Sequence, residues 1–290
     1  MSLIKYFFPQ LNVKSDSSIL IPVGQGSLIP RILHQTFHSK NNFSKEIKEN
    51  IDKIKKMNPD WEYRIYDDSD IIDFISDNYG ARVLNYFNRI NPKYGAARAD
   101  LFRYLLIYKC GGVYLDIKST LDKPLNYVLN AEDRYLLSSW KDKQKNKYAG
   151  WGFCPEVANI TNGEFQQWHV IAAPGHPFLK AVIENVLRNI DKYNPALHGV
   201  GKHAVLRVTG PIAYTLAIAP LLHLHQHRFA YSKSEMGLEY SIFEKINDHN
   251  AIFKSHYSDI SEPLITINSI KKIFLLVMKI QKKLTNFNFK

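Results

Sequence analysis

Cysteine is nearly missing from this 290-residue chain, with only Cys110 and Cys154 present. Two cysteines make no disulfide framework, and no Cys-x-x-Cys pair is there to seed a zinc site. A reducing compartment is the simpler expectation, which points to the cytoplasm. Residues 1–18 carry only a short apolar patch and no cleavage pattern. That predicts neither a signal peptide nor a membrane span in this stretch. Without a secretory signal, the sequons at Asn42 and Asn159 read as chance. No internal repeat and no low-complexity segment is visible. Zinc-finger, RRM-like and helix-turn-helix signatures are missing too, so the charge of +11 has no nucleic-acid motif beside it and no nucleic-acid partner is expected.

The composition is that of an ordinary globular protein, 45% hydrophobic and 22% charged. The length suffices for one large domain or two small ones with a sizeable core. A net charge of +11 favours acidic partners such as nucleotide diphosphates or anionic membrane. A Lys-, Asn- and Ile-rich background accounts for the same excess equally well.

Residues 94–125, YGAARADLFRYLLIYKCGGVYLDIKSTLDKPL, organise the chain. The spacing predicts a helix over 97–109, free of Gly and Pro, with Ala97, Leu101, Tyr104, Leu105 and Tyr108 on one apolar face. Lys109 suits the negative end of the helix dipole. Gly111 and Gly112 end the helix, and Val113, Tyr114 and Leu115 form a short β-prone run. Asp116 follows at once. Ligands of open α/β sheets bind beyond the carboxyl ends of strands, so an acid placed there has a task within reach.

This helix–GG–strand–Asp block resembles glycosyltransferase family 32, whose pattern is R-x-D on the helix followed by GGxYxDxD. Here the matching residues are Arg98-Ala99-Asp100 and Gly111-Gly112-Val113-Tyr114-Leu115-Asp116-Ile117-Lys118. The resemblance runs from about Ile29 to about His256. It implies a GT-A-type, Rossmann-like α/β fold with a mixed, mostly parallel sheet flanked by helices. It also implies transfer of a sugar, with retention, from a nucleotide-diphosphate donor to a glycan or polysaccharide hydroxyl. Donor contacts carried over by the resemblance are His34, Gln35, Phe37, Arg98, Asp100, Tyr104, Gly112 and Tyr114. Asp116, Lys118 and Asp100 are the implied catalytic set, and Asp116 with His256 the implied ligands of Mn²⁺ or Mg²⁺. Hard carboxylate oxygens suit such ions.

The rest of the chain divides into an irregular leader over 1–28, a transferase domain over 29–269 and a basic C-terminal helix over 270–290. Ile32 and Leu33 begin a buried strand ending at His34 and Gln35, similar to the family's IPxIxHQxW, with Phe37 in place of Trp. A core strand whose His and Gln satisfy backbone groups is the plainer alternative. An amphipathic helix is expected over 44–57, stopped by Asn58-Pro59, then a strand through Trp61, Tyr63 and Ile65. Asp67, Asp68 and Asp70 read as helix-cap chemistry, and as a metal cluster in the sharper alternative. Strand and helix alternate, which predicts a parallel-rich α/β sheet. Later strands are expected over 135–139 and 170–173, helices after Pro177 and from Thr209-Gly210-Pro211, and a charged loop over 141–147. His223, His225 and His227 alternate as in a strand, giving either a solvated face or a metal face. Ile270, Ile273, Phe274, Val277, Ile280 and Leu284 recur at helical spacing among lysines. Such a helix lies on an anionic membrane surface or docks on its own domain, and the first option makes the protein peripheral on the inner face of a membrane.

The chain departs from the family pattern at the second acid, where Lys118 stands. Like unit charges at ~4 Å repel by about 4 kcal/mol at moderate dielectric, and a divalent ion roughly doubles this. Lys118 therefore should not point at a bound metal. Three outcomes stay open. Asp116 holds the ion with Asp122 or His256 while Lys118 turns to the diphosphate; Lys118 replaces the ion as the cation on the leaving group; or the site binds a sugar nucleotide or glycan without turnover.

Overall fold

Six strands form the main sheet in the order β2-β1-β3-β6-β5-β7 in the computed structural model, which describes residues 8–13, 18–40, 42–140, 148, 150–243 and 260–266. They are β1 (Ile32–Thr36), β2 (Glu62–Tyr66), β3 (Gly112–Leu115), β5 (Tyr135–Leu137), β6 (His169–Ala172) and β7 (Arg228–Phe229). Strands β2, β1 and β3 run parallel, as do β5 and β7, and β6 is antiparallel to both β3 and β5. A separate two-stranded ribbon joins β4 (Thr120–Leu121) to β8 (Leu238–Glu239). The sheet is mixed and mostly parallel with flanking helices, the α/β arrangement expected from the sequence.

The first helix, α1 (Lys45–Met57), starts at Ser44, whose hydroxyl accepts the Ile47 N–H. Asn58 ends it and is buried, donating to the Ile54 carbonyl and accepting the Leu125 N–H. Helix α2 (Asp68–Arg89) opens on a capping box between Asp67 and Asp70. The acidic triplet is thus cap chemistry. Between β2 and β3 lie α2, broken by a kink at Gly80 (φ 73°), and α3 (Gly95–Cys110), where the simple alternation predicts a single helix.

Helix α3 differs from its sequence reading. Every residue from Asp100 to Tyr108 is buried, so the helix has no solvated face along that stretch. The sheet, α2 and α4 (Pro177–Lys192) enclose it, and Leu106 and Ile107 join the same core as Leu101 and Leu105. Beyond α4 come the short α5 (Pro195–His198), then α6 (Gly201–Val208) and α7 (Pro211–Ile218). The run Gly201–Leu221 is long and apolar enough to cross a membrane, yet it is split between α6 and α7 and 56% buried inside the domain. It serves as core.

The other face of the sheet packs a second core around Leu33, Val113, Leu115, Trp168 and Leu238, covered by α1 and the β4–β8 ribbon. The described part of the leader has no helix or strand but is pinned down. The Gly26 N–H donates to the Pro174 carbonyl, the Val23 N–H to the Tyr108 hydroxyl and the Asn12 N–H to Asn189 Oδ1. The histidine run expected as a strand is a turn, and strand β7 begins only at Arg228. Among the described residues no three His, Cys, Asp or Glu side chains gather for a metal. The 141–147 loop, His256 and the 270–284 helix lie outside the described residues.

Candidate active site

The turn from α3 into β3 sets the geometry. Gly112 takes φ 98° with its Cα side against β1, where a Cβ would lie 2.5 Å from the Ile32 carbonyl oxygen. Only glycine permits that approach. It brings β3 into register beside β1 and delivers Asp116 to the carboxyl end of the sheet. The Asp116 N–H continues the ladder by donating to the Trp168 carbonyl at 2.9 Å. Gln35 donates from Nε2 to the Asp116 carbonyl at 3.2 Å, and the Tyr63 hydroxyl holds Gln35 Oε1 at 2.7 Å. Asn50 donates to the Ser119 carbonyl at 2.8 Å and fixes the loop that follows. The backbone around Asp116 is therefore braced from β1, β2, α1 and β6.

Arg103 is the centre of the charge arrangement. Its guanidinium lies 3.0 Å from Asp116 Oδ1 and 3.5 Å from Asp100 Oδ1. It donates to the Gln167 carbonyl at 2.7 Å and to Gln167 Oε1 at 2.8 Å, and it lies 4.8 Å above the Tyr114 ring. The Arg103 side chain is 5% exposed and Asp100 4%, whereas Asp116 is 23% exposed. Asp100 is closed off further by Thr209 Oγ1 at 2.9 Å and Gln167 Nε2 at 3.1 Å. Burial is the largest influence on Asp100 and raises its pKa; Arg103, Thr209 and Gln167 pull the other way. Asp116 is the partly exposed carboxylate, and Asp100 is its buried counterpart on Arg103.

Lys118 completes the site. Its Nζ donates to the Tyr240 hydroxyl at 2.6 Å and lies 4.0 Å from the centre of the Tyr240 ring. Burial lowers its pKa to about 8 against the opposing pull of Asp116. The ammonium stays mostly charged at neutral pH. The Ile242 N–H donates to the Lys118 carbonyl at 2.8 Å, so the segment after β8 holds this loop in place. Asp122 is turned away and pairs with Lys233 at 3.2 Å.

The residues expected to contact a donor fall into two groups. Asp100, Tyr114, Asp116 and Gln35 come together, with Tyr114 Oη within 3.3 Å of Asp116 Oδ1 and 3.0 Å of Thr36 Oγ1. Tyr104 supports them from below; its hydroxyl donates to the Thr209 carbonyl at 3.0 Å and its ring stacks on Tyr214. His34, Phe37 and Arg98 lie elsewhere. His34 bonds the Gly111 carbonyl and the Tyr66 hydroxyl, each at 3.1 Å, and burial lowers its pKa to about 4. Phe37 is buried with Ile47 and Ile117 and stacks on Phe43. The Arg98 guanidinium lies 4.3 Å over the Phe87 ring. Arg103, Gln167, Thr209 and Tyr240 are the additions. Arg103 sits one turn after Asp100, a spacing that puts both on one helix face. Gln167 and Tyr240 carry no such signal, because they arrive from segments distant in the chain, just before β6 and just after β8.

With this geometry in view, comparison with known proteins shows what the chain is similar to. Residues 44–136 match the glycosyltransferase sugar-binding region containing a DXD motif, the stretch from α1 through β5. Over that stretch the chain is similar to the DXD-type glycosyltransferases. It is 29% identical over 189 residues to inositol phosphoceramide mannosyltransferase 3 of Schizosaccharomyces pombe, covering 65% of this chain and 44% of that protein. An initiation-specific alpha-1,6-mannosyltransferase of the same yeast is 25% identical over 210 residues, covering 67% of this chain and 49% of the relative. The chain thus spans about half the length of the curated relatives it matches. Among solved structures it is similar to the PaToxG glycosyltransferase at 16% identity and a TM-score of 0.44, over 85% of this chain and 83% of that one.

DXD-type glycosyltransferases generally use a divalent metal. This chain has one carboxylate at the motif's position, and Oδ1 of that carboxylate is already engaged by Arg103 and Tyr114. The second acid is Lys118. Among the described residues no all-protein cage for a divalent ion is present; Asp116 offers one carboxylate beside Arg103 and Lys118, so most ligands of a hard ion would have to come from water and the donor's phosphates.

Proposed function

We propose that this chain is a nucleotide-sugar-dependent glycosyltransferase that moves a hexose from a nucleoside-diphosphate donor to a hydroxyl of a glycan, with retention of configuration. The observation that carries the proposal is the half-exposed Asp116 at the carboxyl end of β3, braced by buried Arg103 and flanked by Lys118. The 29–269 segment holds all of these groups.

The roles follow from exposure. Asp116 accepts hydroxyls of the donor at the rim of the sheet. Arg103 is a positioning residue: its planar fork holds Asp116 in one orientation and is itself held by Asp100 and Gln167. Lys118 supplies the positive charge for the departing diphosphate. Charge that develops in the transition state is best met by groups already in place. The bond to Tyr240 keeps the ammonium from having to reorganise when that charge appears. Tyr114 and Gln35 shape the floor. The expected membrane contact of 270–284 has no part in this reading.

Calorimetric binding of UDP and GDP, each with Mn²⁺ and with EDTA, tests the assignment. Binding of one nucleotide that survives EDTA is expected. Binding that requires Mn²⁺ would remove Lys118 from the leaving-group role and return an ion to Asp116. No binding of either nucleotide by a folded sample would sink the UDP- and GDP-donor reading. Lys118 in place of an acid also favours a second reading, a sugar-nucleotide binder without turnover; nucleotide binding with no transfer to any glycan would establish it.

A further inference from the structure

An aromatic cleft of about 370 Å³ opens beside this site, lined among others by Trp140, Trp151, Phe153, Cys154, Asn162 and Glu164. Its size is at the lower end of small-molecule pockets, which run from roughly 300 to 1,000 Å³. Two of its aromatic walls are uncovered, Trp151 at 37% exposure and Phe153 at 74%. Large aromatic side chains left exposed on one side of a cleft call for an explanation, since single scattered ones do not converge. The cleft is also built rather than accidental. Gly152 has φ 77°, and a Cβ there would lie 2.7 Å from Trp140 Cδ1, so the turn closes tightly on the indole.

One ionisable group reaches the floor. Glu164 is 7% exposed, and its Oε1 accepts from Trp140 Nε1 at 3.2 Å, with Cys154 Sγ at 3.8 Å from Oε2. Burial pushes its carboxyl up to about 7. A carboxyl near that value can accept or donate a hydrogen bond at neutral pH. Apolar ring faces next to a single hydroxyl-binding carboxyl match a pyranose, which has a C–H face and a polar equatorial edge.

The cleft adjoins the charged site across the Tyr240 ring. The ring centres of Trp140 and Trp151 lie 5.4 Å and 5.7 Å from that of Tyr240. Lys118 also packs on Tyr240, at 4.0 Å from the ring centre. Trp168, whose carbonyl holds the Asp116 N–H, packs on Tyr240 at 5.6 Å. The Trp151 wall of the cleft is therefore linked, through the one ring of Tyr240, to the group assigned to the leaving diphosphate. We infer that this cleft is the acceptor subsite, stacking the terminal hexopyranose of the acceptor on Trp151 and Phe153 while Glu164 orients one of its hydroxyls. The assignment deepens the glycosyltransferase reading and rests on it.

Trp140 and Trp151 make occupancy visible by intrinsic fluorescence, without any donor. The full chain would be titrated with the methyl α-glycosides of mannose, glucose and galactose, and with UDP and GDP by calorimetry. A saturable fluorescence change is expected with at least one glycoside. It should weaken at least tenfold in Phe153→Ala and in Glu164→Ala, with nucleotide affinity within twofold of the parent. Phe153 is mostly exposed, so its removal leaves the fold intact. No saturable change with any glycoside, or an equal change in both variants, overturns the subsite. A normal glycoside response from a chain that binds neither nucleotide would instead overturn the donor reading and leave a sugar cleft standing.

Discussion

Replacing Arg103 by methionine tests the charge arrangement most directly. The guanidinium serves two carboxylates and two oxygens of Gln167. Removing one partner of a buried ion pair typically costs about 3–5 kcal/mol, because the remaining charge stays desolvated. That burden is unequal here. Asp116 is 23% exposed and can turn to water, while Asp100 is 4% exposed and cannot. Most of the loss should therefore sit on Asp100. Urea denaturation at pH 7 measures it: with a slope near 3 kcal/mol/M, about 3–5 kcal/mol shifts the midpoint by roughly 1–1.5 M. Neutralising the stranded charge should restore part of the loss, about 0.5–3 kcal/mol as a coupling energy. Arg103→Met with Asp100→Asn should thus melt later than Arg103→Met alone, and Asp116→Asn should restore less. The pH dependence has a definite sign. The pKa of Asp100 is raised in the folded protein, and without Arg103 an influence that lowers it disappears. A raised folded pKa stabilises below the unfolded value and loses that contribution as pH rises. The deficit of Arg103→Met should accordingly shrink on acidification. A midpoint shift below ~0.5 M, or better rescue by Asp116→Asn than by Asp100→Asn, would refute the placement of the buried charge.

Lys118→Asp rebuilds the second acid and should make nucleotide binding Mn²⁺-dependent, whereas Lys118→Met should weaken EDTA-resistant binding at least tenfold, about 1.4 kcal/mol; calorimetry reads both. The Glu164 carboxyl is raised from 4.5 to about 7, so its contribution is present below pH ~4.5 and lost as pH rises through about 7. Glu164→Gln should match the parent near pH 5 and exceed it at pH 8 by up to about 3 kcal/mol in urea melts, and equal stabilities at pH 8 would count against a desolvated carboxyl. Gly112→Ala drives a Cβ to 2.5 Å from the Ile32 carbonyl at φ 98°, so a loss above ~3 kcal/mol is expected, read as thermal melting, and a near-wild-type melt would contradict the β1–β3 approach.

Local signals in the chain determined a good deal. Ser44, the Asp67–Asp70 box and Pro177 start the helices they were expected to start, because caps are satisfied within one turn of chain. The paired glycines and the Val113–Leu115 run delivered Asp116 to the carboxyl end of a strand, since turn geometry and β propensity are short-range. The mixed, mostly parallel sheet was legible from the alternation of elements together with the family resemblance. Helix α3 was misread as one-faced because periodicity reports an apolar stripe and is blind to neighbours; Phe102, Leu106 and Ile107 are buried by α2 and α4 as well as by the sheet. The histidine run failed as a strand because alternation without a partner strand makes no ladder. Only the tertiary structure decided which charges meet. It turned His34 to the Gly111 carbonyl and Arg98 to Phe87, and it brought Gln167, Thr209 and Tyr240 to Arg103, Asp100 and Lys118 across separations of 64 to 122 residues. The chain's own chemistry supplied Asp116 and Lys118. Which carboxylate stays partly exposed and which cation braces it depends on burial, and burial is a property of the packed sheet and its helices.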